Sequence, residues 1–317
     1  MIRFRHKTPL KKVGDGQVLI DVRYSSLNYK DALAFQDPSR ILRRLPLIPG
    51  IDAAGVVLES SSEQIDNGTR VIITGNGYGE SRHGGYSSKL YADVSHVIPL
   101  PESVSLKDAA TLGTAGITAA LAISALRQVK IPLASPTLPI AVSGASGGVG
   151  SLALSMLASE KLPAVAITGS LDEADFLRDL GASEVISRNE FLEPSHKPLL
   201  PARFSGAIDQ VGGSVLSKLL ASTAPEGLIA SCGLALSSDI GTSLMPFILR
   251  GVTLRGINSV DASQKTRGEI WDYFGKNIPK LQLDKISTTI ALQDLKLYTH
   301  KILSGKTRGR ITVEIPH

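Results

Sequence analysis

Cysteine is almost absent from this 317-residue chain, where Cys232 stands alone. That excludes an intramolecular disulfide framework and any multi-cysteine zinc or iron–sulfur site, and it fits the reducing conditions of a cytoplasm. Aromatic residues reach only 5%, a poor supply of stacking platforms for single-stranded nucleic acid. No basic run carries a helix-turn-helix, zinc-finger or RNA-binding signature, so nucleic acid is not expected as a partner. No uninterrupted apolar run approaches the roughly 18 residues that cross a bilayer. The first residues, MIRFRHKTPLKK, lack the apolar centre of a secretory signal. A membrane is therefore not expected either.

What is present is ordinary globular composition, with 43% hydrophobic and 20% charged residues. The length suggests two domains, each able to bury its own core. The formal charge of +5 is unevenly spread: residues 1–118 carry +2, residues 119–255 carry −1 and residues 256–317 carry +4. A mild basic excess in the outer segments suits anionic small molecules.

Residues 1–118 read as short strands joined by glycine-rich turns, at Val18–Val22, Ala53–Leu58, Arg70–Thr74, Tyr86–Tyr91 and Val94–Pro99. From Leu106 the pattern turns helical, with a break expected near Gly113–Gly116. The middle of the chain alternates strand and helix, beginning with strand Leu138–Ser143 and helix Val149–Ser159 and ending with strand Thr253–Ile257. Such alternation specifies a parallel sheet covered by helices, because parallel neighbours need crossover connections. The last segment predicts helices near Gly268–Lys276 and Leu292–Leu303. It closes with strand Arg310–Ile315, suited to the first domain's sheet.

Between the first strand and first helix of the alternating region lies Ser143-Gly144-Ala145-Ser146-Gly147-Gly148-Val149-Gly150. Ala145-x-Gly147-x-x-Gly150 matches the dinucleotide fingerprint, with Ala in the first place. Small residues there make the turn tight, let the backbone approach a pyrophosphate and let the helix pack on the strand. The amides opening the helix then face the anion. The next strand ends Thr168-Gly169-Ser170, without the Asp or Glu that binds a ribose 2′-hydroxyl in NAD sites. Arg188 follows the next strand and can supply positive charge. Together these favour NADPH.

The motifs SSLNYKDAL (25–33), PLIPGIDAAGVV (46–57), GTAGITA (113–119) and SGASGGVGS (143–151) resemble, in this order, those of medium-chain dehydrogenases/reductases. DFLRDLGASEVISR (175–188), GAIDQVG (206–212), ASCGLA (230–235), MPFILRGV (245–252) and GINSV (256–260) are similar to one zinc-free branch, the NADPH-dependent acryloyl-CoA reductases and quinone oxidoreductases. The resemblance implies an α/β chain with a Rossmann doubly wound parallel-sheet domain over 119–255. A discontinuous GroES-like, β-rich catalytic domain is implied over 1–118 and 256–317, with the active site in the cleft and usually a homodimer. Where zinc-dependent relatives carry cysteine and a His-Glu pair, this chain has Asn28 and Ile51-Asp52. Its six histidines are scattered, so no metal is expected. An abbreviated first strand is expected at Ile2–Phe4.

Hydride addition at Cβ of an α,β-unsaturated thioester builds enolate charge on the carbonyl oxygen, which a donor can stabilise. Tyr29 is the candidate for that donor or for a proton relay, and for contact with the cofactor. Asn28 is the candidate to orient the nicotinamide or donate to the carbonyl. The family pattern further implies that Ser146, Gly147, Gly148 and Val149 hold the pyrophosphate. Thr168, Gly169, Ser170 and Arg188 would hold the adenosine phosphate end, and Leu234, Ile248 and Ser259 would line the nicotinamide side. Members commonly carry Arg or Lys where Ser170 stands. Arg40, Arg43 and Arg44 form a cationic rim suited to the phosphates of an enoyl-CoA substrate. Quinone reduction and NADPH binding without turnover are the alternatives.

Overall fold

The protein is described by a computed structural model covering residues 12–128, 138–195 and 197–316; the strand expected at Ile2–Phe4 lies outside these residues. The first strands are β1 (Gln17–Leu27), β2 (Asp52–Ser60), β3 (Arg70–Thr74), β4 (Lys89–Asp93) and β5 (Ile98–Pro99). A central group follows: β6 (Ile140–Ser143), β7 (Ala164–Thr168), β8 (Ala182–Ser187), β9 (Phe204–Asp209), β10 (Thr223–Ser231) and β11 (Thr253–Gly256). The last two are β12 (Ser287–Ala291) and β13 (Arg310–Glu314). The chain divides into two compact units, one of Met1–Thr114, Val260–Ile278 and Ser287–His317, the other of Ala115–Ser259 and Pro279–Ile286.

These units change over at Thr114/Ala115 and Ser259/Val260, whereas the sequence reading placed the joins at 118/119 and 255/256. Local bonding explains the difference. Thr118 donates to the Ser259 hydroxyl (2.8 Å), keeping both in the second unit. Ser155 donates to the Leu281 carbonyl (2.7 Å), holding Pro279–Ile286 there too.

The first unit is built on a seven-stranded sheet in the order β12-β13-β1-β2-β3-β5, with β4 also paired to β1. Its pairs are antiparallel except β12 with β13. Alternation puts Val18, Ile20 and Val22 of β1 into a core with Val71, Ile73, Leu90, Ile311 and Val313. The final strand joins this sheet by pairing Tyr24–Leu27 with Ile311–Glu314.

Three local expectations needed correction. The strand expected at Tyr86–Tyr91 begins only at Lys89, because the Tyr86 backbone bonds Pro49 and its phenol is buried against the Ser26 carbonyl (3.1 Å). The strand expected at Val94–Pro99 is a 3₁₀ turn, Val94–His96, followed by the two residues of β5; Pro99 has no amide to extend the ladder. The helix Tyr29–Gln36 and strand β12 were not anticipated. The segment Leu106–Gln128 breaks at Gly113, where φ is 44° and ψ is −148°. By length and composition it is apolar enough to cross a membrane, contrary to the sequence expectation, but it is broken at that glycine and mostly buried among other protein residues.

In the second unit six strands run parallel in the order β8-β7-β6-β9-β10-β11. The first two crossings, β6 to β7 and β7 to β8, move outward to one side, and the chain then returns to build outward from the other side of β6. This is the doubly wound order, and its reversal between β6 and β9 leaves a crevice at their carboxyl ends. The core beneath contains Val165, Ile167, Phe204, Leu219 and Ile229.

Candidate active site

At the reversal point the loops after β6 and β9 are tied together. Ser143 donates to Asp209 Oδ1 (2.5 Å), while Gln210 donates its backbone N–H to the Ser143 hydroxyl (3.1 Å). Asp209 is fully buried, and its carboxylate also accepts from the Val211 and Gly212 amides. Burial raises its pKa, and these hydrogen bonds oppose the rise. The glycine turn is thereby pinned from below. Gly147 caps the helix Gly148–Ser159 with extended backbone. A Cβ on Gly150 would fall 2.7 Å from Ala145 Cα, so only glycine lets the helix sit this close to the turn.

The expected pyrophosphate residues Ser146, Gly147, Gly148 and Val149 therefore form one turn and helix start. Ser146 Oγ lies 3.1 Å from Thr168 Oγ1, which also accepts from the Ser170 amide (3.0 Å). The Arg188 guanidinium packs over Gly169: an added Cβ there would lie 3.2 Å from Arg188 Cζ. Thr168, Gly169, Ser170 and Arg188 thus come together at the end of β7. Gln210 was not anticipated, yet its buried Nε2 has no partner among the described residues. An orphaned donor beside a glycine cradle fits a bound dinucleotide.

The ends of β10 and β11 open a cavity of about 420 Å³ lined by Ser231–Leu234 and Gly256–Asn258. Leu234 is among its lining residues. Ile248 is not; it is 73% exposed on the helix Met245–Arg250. Ser259 is buried, its hydroxyl occupied by Thr118. Cys232 donates to the Asp209 carbonyl (3.4 Å), and burial, with the Asp209 charge, pushes its pKa up to about 12. It is a neutral thiol at physiological pH, not a nucleophile.

In the first unit, Tyr29 opens the helix Tyr29–Gln36 and is 47% exposed, with no hydrogen-bond partner for its hydroxyl among the described residues. What holds it lies beneath. Asp31 Oδ2 accepts from the Asn28 backbone N–H (3.0 Å), and Asp31 Oδ1 accepts from the Ile51 amide (3.1 Å). Asp52 Oδ2 accepts from Ser26 (2.5 Å) and Asn28 Nδ2 (2.9 Å); Asp52 Oδ1 accepts from the Thr114 amide and hydroxyl (3.0 and 2.6 Å). Arg310 Nη1 donates to Asn28 Oδ1 (3.0 Å) and its Nε to the Thr111 carbonyl (2.7 Å). Asp31, Asp52 and Arg310 are all buried.

This network corrects the role expected of Asn28. Its amide donors are directed at Asp52, Asp31 and Ser26, and its oxygen is occupied by Arg310. No donor remains for a substrate carbonyl, so Asn28 positions rather than reacts.

Burial raises the Asp31 pKa to about 7, the neighbouring Asp52 charge adding to the rise and the bonds from Asn28 and Ile51 opposing it. Below that pH one proton, one carboxylate and one guanidinium balance in a buried space where excess charge is costly. Sequence reasoning missed Ser26, Asp31, Thr114 and Arg310. The Asn28-x-x-Asp31 spacing of a capping box was the one local signal available.

Arg40, Arg43 and Arg44 are all exposed. Arg43 donates its backbone N–H to the Glu80 carbonyl (2.8 Å). Burial, aided by the Arg44 charge, lowers the pKa of His83.

Two family models match successive parts of the chain. Residues 14–102 match the alcohol dehydrogenase GroES-like domain, and residues 148–273 match the zinc-binding dehydrogenase domain. The acrylyl-CoA reductase AcuI of Ruegeria pomeroyi is 36% identical, over 95% of this chain and 90% of its own. The yhdH oxidoreductase of Salmonella enterica, solved in complex with NADP, superposes with a TM-score of 0.91 at 37% identity, covering 98% of this chain and 95% of its own. The yhfP protein of Bacillus subtilis, solved with NAD bound, gives 0.88 at 39% identity, covering 96% and 92%.

The residues here do not fit the zinc that the second domain's description implies. Among the described residues no three His, Cys, Asp or Glu side chains gather as a metal site, and both Asp52 oxygens are occupied by hydroxyl and amide donors. The chain belongs to the medium-chain dehydrogenase/reductase family of oxidoreductases, in the zinc-free branch that holds the acrylyl-CoA reductases.

Proposed function

We propose that this protein is an NADPH-dependent reductase of activated carbon–carbon double bonds, acting without a metal, with acryloyl-CoA or a related 2-enoyl-CoA as substrate. Bound NADPH supplies hydride from its nicotinamide. Ser146, Gly147, Gly148 and Val149 hold its pyrophosphate. Thr168, Gly169, Ser170 and Arg188 receive the 2′-phosphate through hydroxyls, an open backbone and a guanidinium. Tyr29 carries the chemistry of this chain's own residues: its phenol donates to the thioester oxygen as enolate charge develops, or delivers the proton to Cα. The observation that carries this reading is the exposed Tyr29 hydroxyl, unpartnered among the described residues, on a helix start fixed by a buried network. AcuI at 36% identity supports the substrate class.

Tyr29→Phe should lower kcat for acryloyl-CoA about tenfold, a loss of about 1.4 kcal/mol of transition-state stabilisation. Unchanged kcat and KM would demote the residue to packing. Activity toward a quinone but not toward acryloyl-CoA would select the quinone reading. NADPH binding without turnover of either would leave a binding protein.

The exposed Arg40, Arg43 and Arg44 supply a rim for the CoA phosphates. Neutralising Arg43 and Arg44 should raise KM for the acyl-CoA and not for a quinone. We also assign a homodimer, supported by exposed Leu236, Leu244 and Leu249 and by the edge position of β11, and tested by sedimentation. A cytoplasmic location is supported by the single cysteine. Neither membrane nor nucleic acid is required by this chemistry.

A further inference from the structure

A second groove, of about 330 Å³, lies in the first unit between the end of the helix Tyr29–Gln36 and the helix Leu295–Leu303. Phe35, Gln36, Lys296, Thr299, His300 and Leu303 line it. Positions 296, 299, 300 and 303 follow i, i+3, i+4, i+7 spacing, so one helical stripe presents all four. Phe35 and Leu303 are half-buried, whereas Lys296 and His300 are exposed.

Thr299 is 5% exposed, and its Oγ1 has no hydrogen-bond partner among the described residues. A helical hydroxyl can satisfy itself by donating back to the preceding turn, as Ser304 does to the His300 carbonyl (2.9 Å). Thr299 does not, and a buried hydroxyl left unpaired is costly unless something completes it.

Lys296 and no carboxylate stand among the residues that line the groove. Asp37, following Gln36, gives its carboxylate to the Ser39 amide (3.1 Å) and hydroxyl (2.6 Å). Asp294 stands two positions before Lys296 and so off its face. Its helical stripe also belongs to the segment 256–317, which carries +4 of the chain's net charge of +5.

We propose that this groove binds the phosphate end of a phosphorylated small molecule, with the anion at Lys296 and His300, its stem against Phe35 and Leu303, and the Thr299 hydroxyl bonded to it. The phosphate comes either from the carrier arm of the acyl-CoA or from a separate phosphorylated compound. The first source rests on the substrate reading above; the groove itself does not.

The test uses protein saturated with NADP⁺, so that the nucleotide site is filled. Thr299→Val keeps the shape and removes only the hydroxyl; with no partner to lose, Tm should not fall. Binding of inorganic pyrophosphate and of coenzyme A, measured by titration calorimetry, should weaken about tenfold in Thr299→Val and further in a Lys296→Gln/His300→Gln variant.

If the carrier arm is the source, KM for an enoyl-CoA rises about tenfold in Thr299→Val. KM for the same enoyl group on N-acetylcysteamine, which has no phosphate, does not change. If both KM values stay constant while pyrophosphate binding falls, a separate phosphorylated ligand is the occupant. Wild-type protein that binds pyrophosphate in this Thr299-dependent way yet turns over no enoyl-CoA keeps the groove and removes the substrate reading. Equal pyrophosphate and coenzyme A binding in wild type and both variants would overturn the proposal.

Discussion

In the parallel-sheet unit the elements proposed to bind phosphate lie close along the chain, from Ser143 to Arg188, with each loop emerging from the end of a strand. In the antiparallel unit the support for Tyr29 is drawn from Ser26, Asp31, Asp52, Thr114 and Arg310, brought together by pairing of the first and last strands. The first is a backbone device, in which glycines and helix amides create room and positive potential. The second is a side-chain device, in which buried charges balance one another. The two should therefore fail differently when altered.

The largest effect is expected at Asp52. Asp52→Ala leaves the buried Arg310 guanidinium without its compensating charge and strands the Ser26, Asn28 and Thr114 donors. Loss of one partner of a buried pair costs about 3–5 kcal/mol, read as a fall in the urea midpoint of unfolding. A loss below about 1 kcal/mol would mean that the network is dispensable.

Next comes the pH dependence of stability. With its pKa raised to about 7 in the folded state, Asp31 retains a proton that the unfolded chain releases near pH 4. The folded state binds more protons across that interval, so this contribution is fully present below about pH 4 and is lost as pH rises toward 7. Unfolding free energy should decline by a few kcal/mol between those values through this group, and Asp31→Asn should flatten that decline. An identical profile in the variant would contradict the assignment.

A smaller and more selective effect is expected in the other unit. Arg188→Ala removes the cation packed over Gly169, and should raise KM for NADPH roughly tenfold to a hundredfold while leaving KM for NADH and stability near wild type. Equal changes for both nucleotides would remove Arg188 from the 2′-phosphate site. If this variant unfolded more readily than Asp52→Ala, the contrast between a backbone device and a charge-balanced one would itself be wrong.

Legibility followed the same line. The glycine turn, its strand and its helix could be read directly, because tight turns and helix starts have local signatures. The place of Arg188 beside Gly169 followed from its position as the cation after a strand with no acid at its predecessor's end. Asn28 was noticed for its place in the motif but expected to orient the nicotinamide or donate to the carbonyl, since nothing in 25–33 reveals that Asp52 and Arg310 close around its amide. Thr299 went unnoticed because an unsatisfied hydroxyl is a property of packing and has no mark in sequence.

By itself the sequence determined the parallel sheet, the dinucleotide turn, the absence of a cysteine cluster and the order of family motifs. Each of these depends on neighbours within a few residues or on composition. Only the tertiary structure decided that Asn28 supports rather than reacts, that Asp31 shares its burial with Asp52 and Arg310, and that a basic helix face meets Phe35 across a groove. Charges separated by hundreds of residues acquire their energies only when folding removes the water between them.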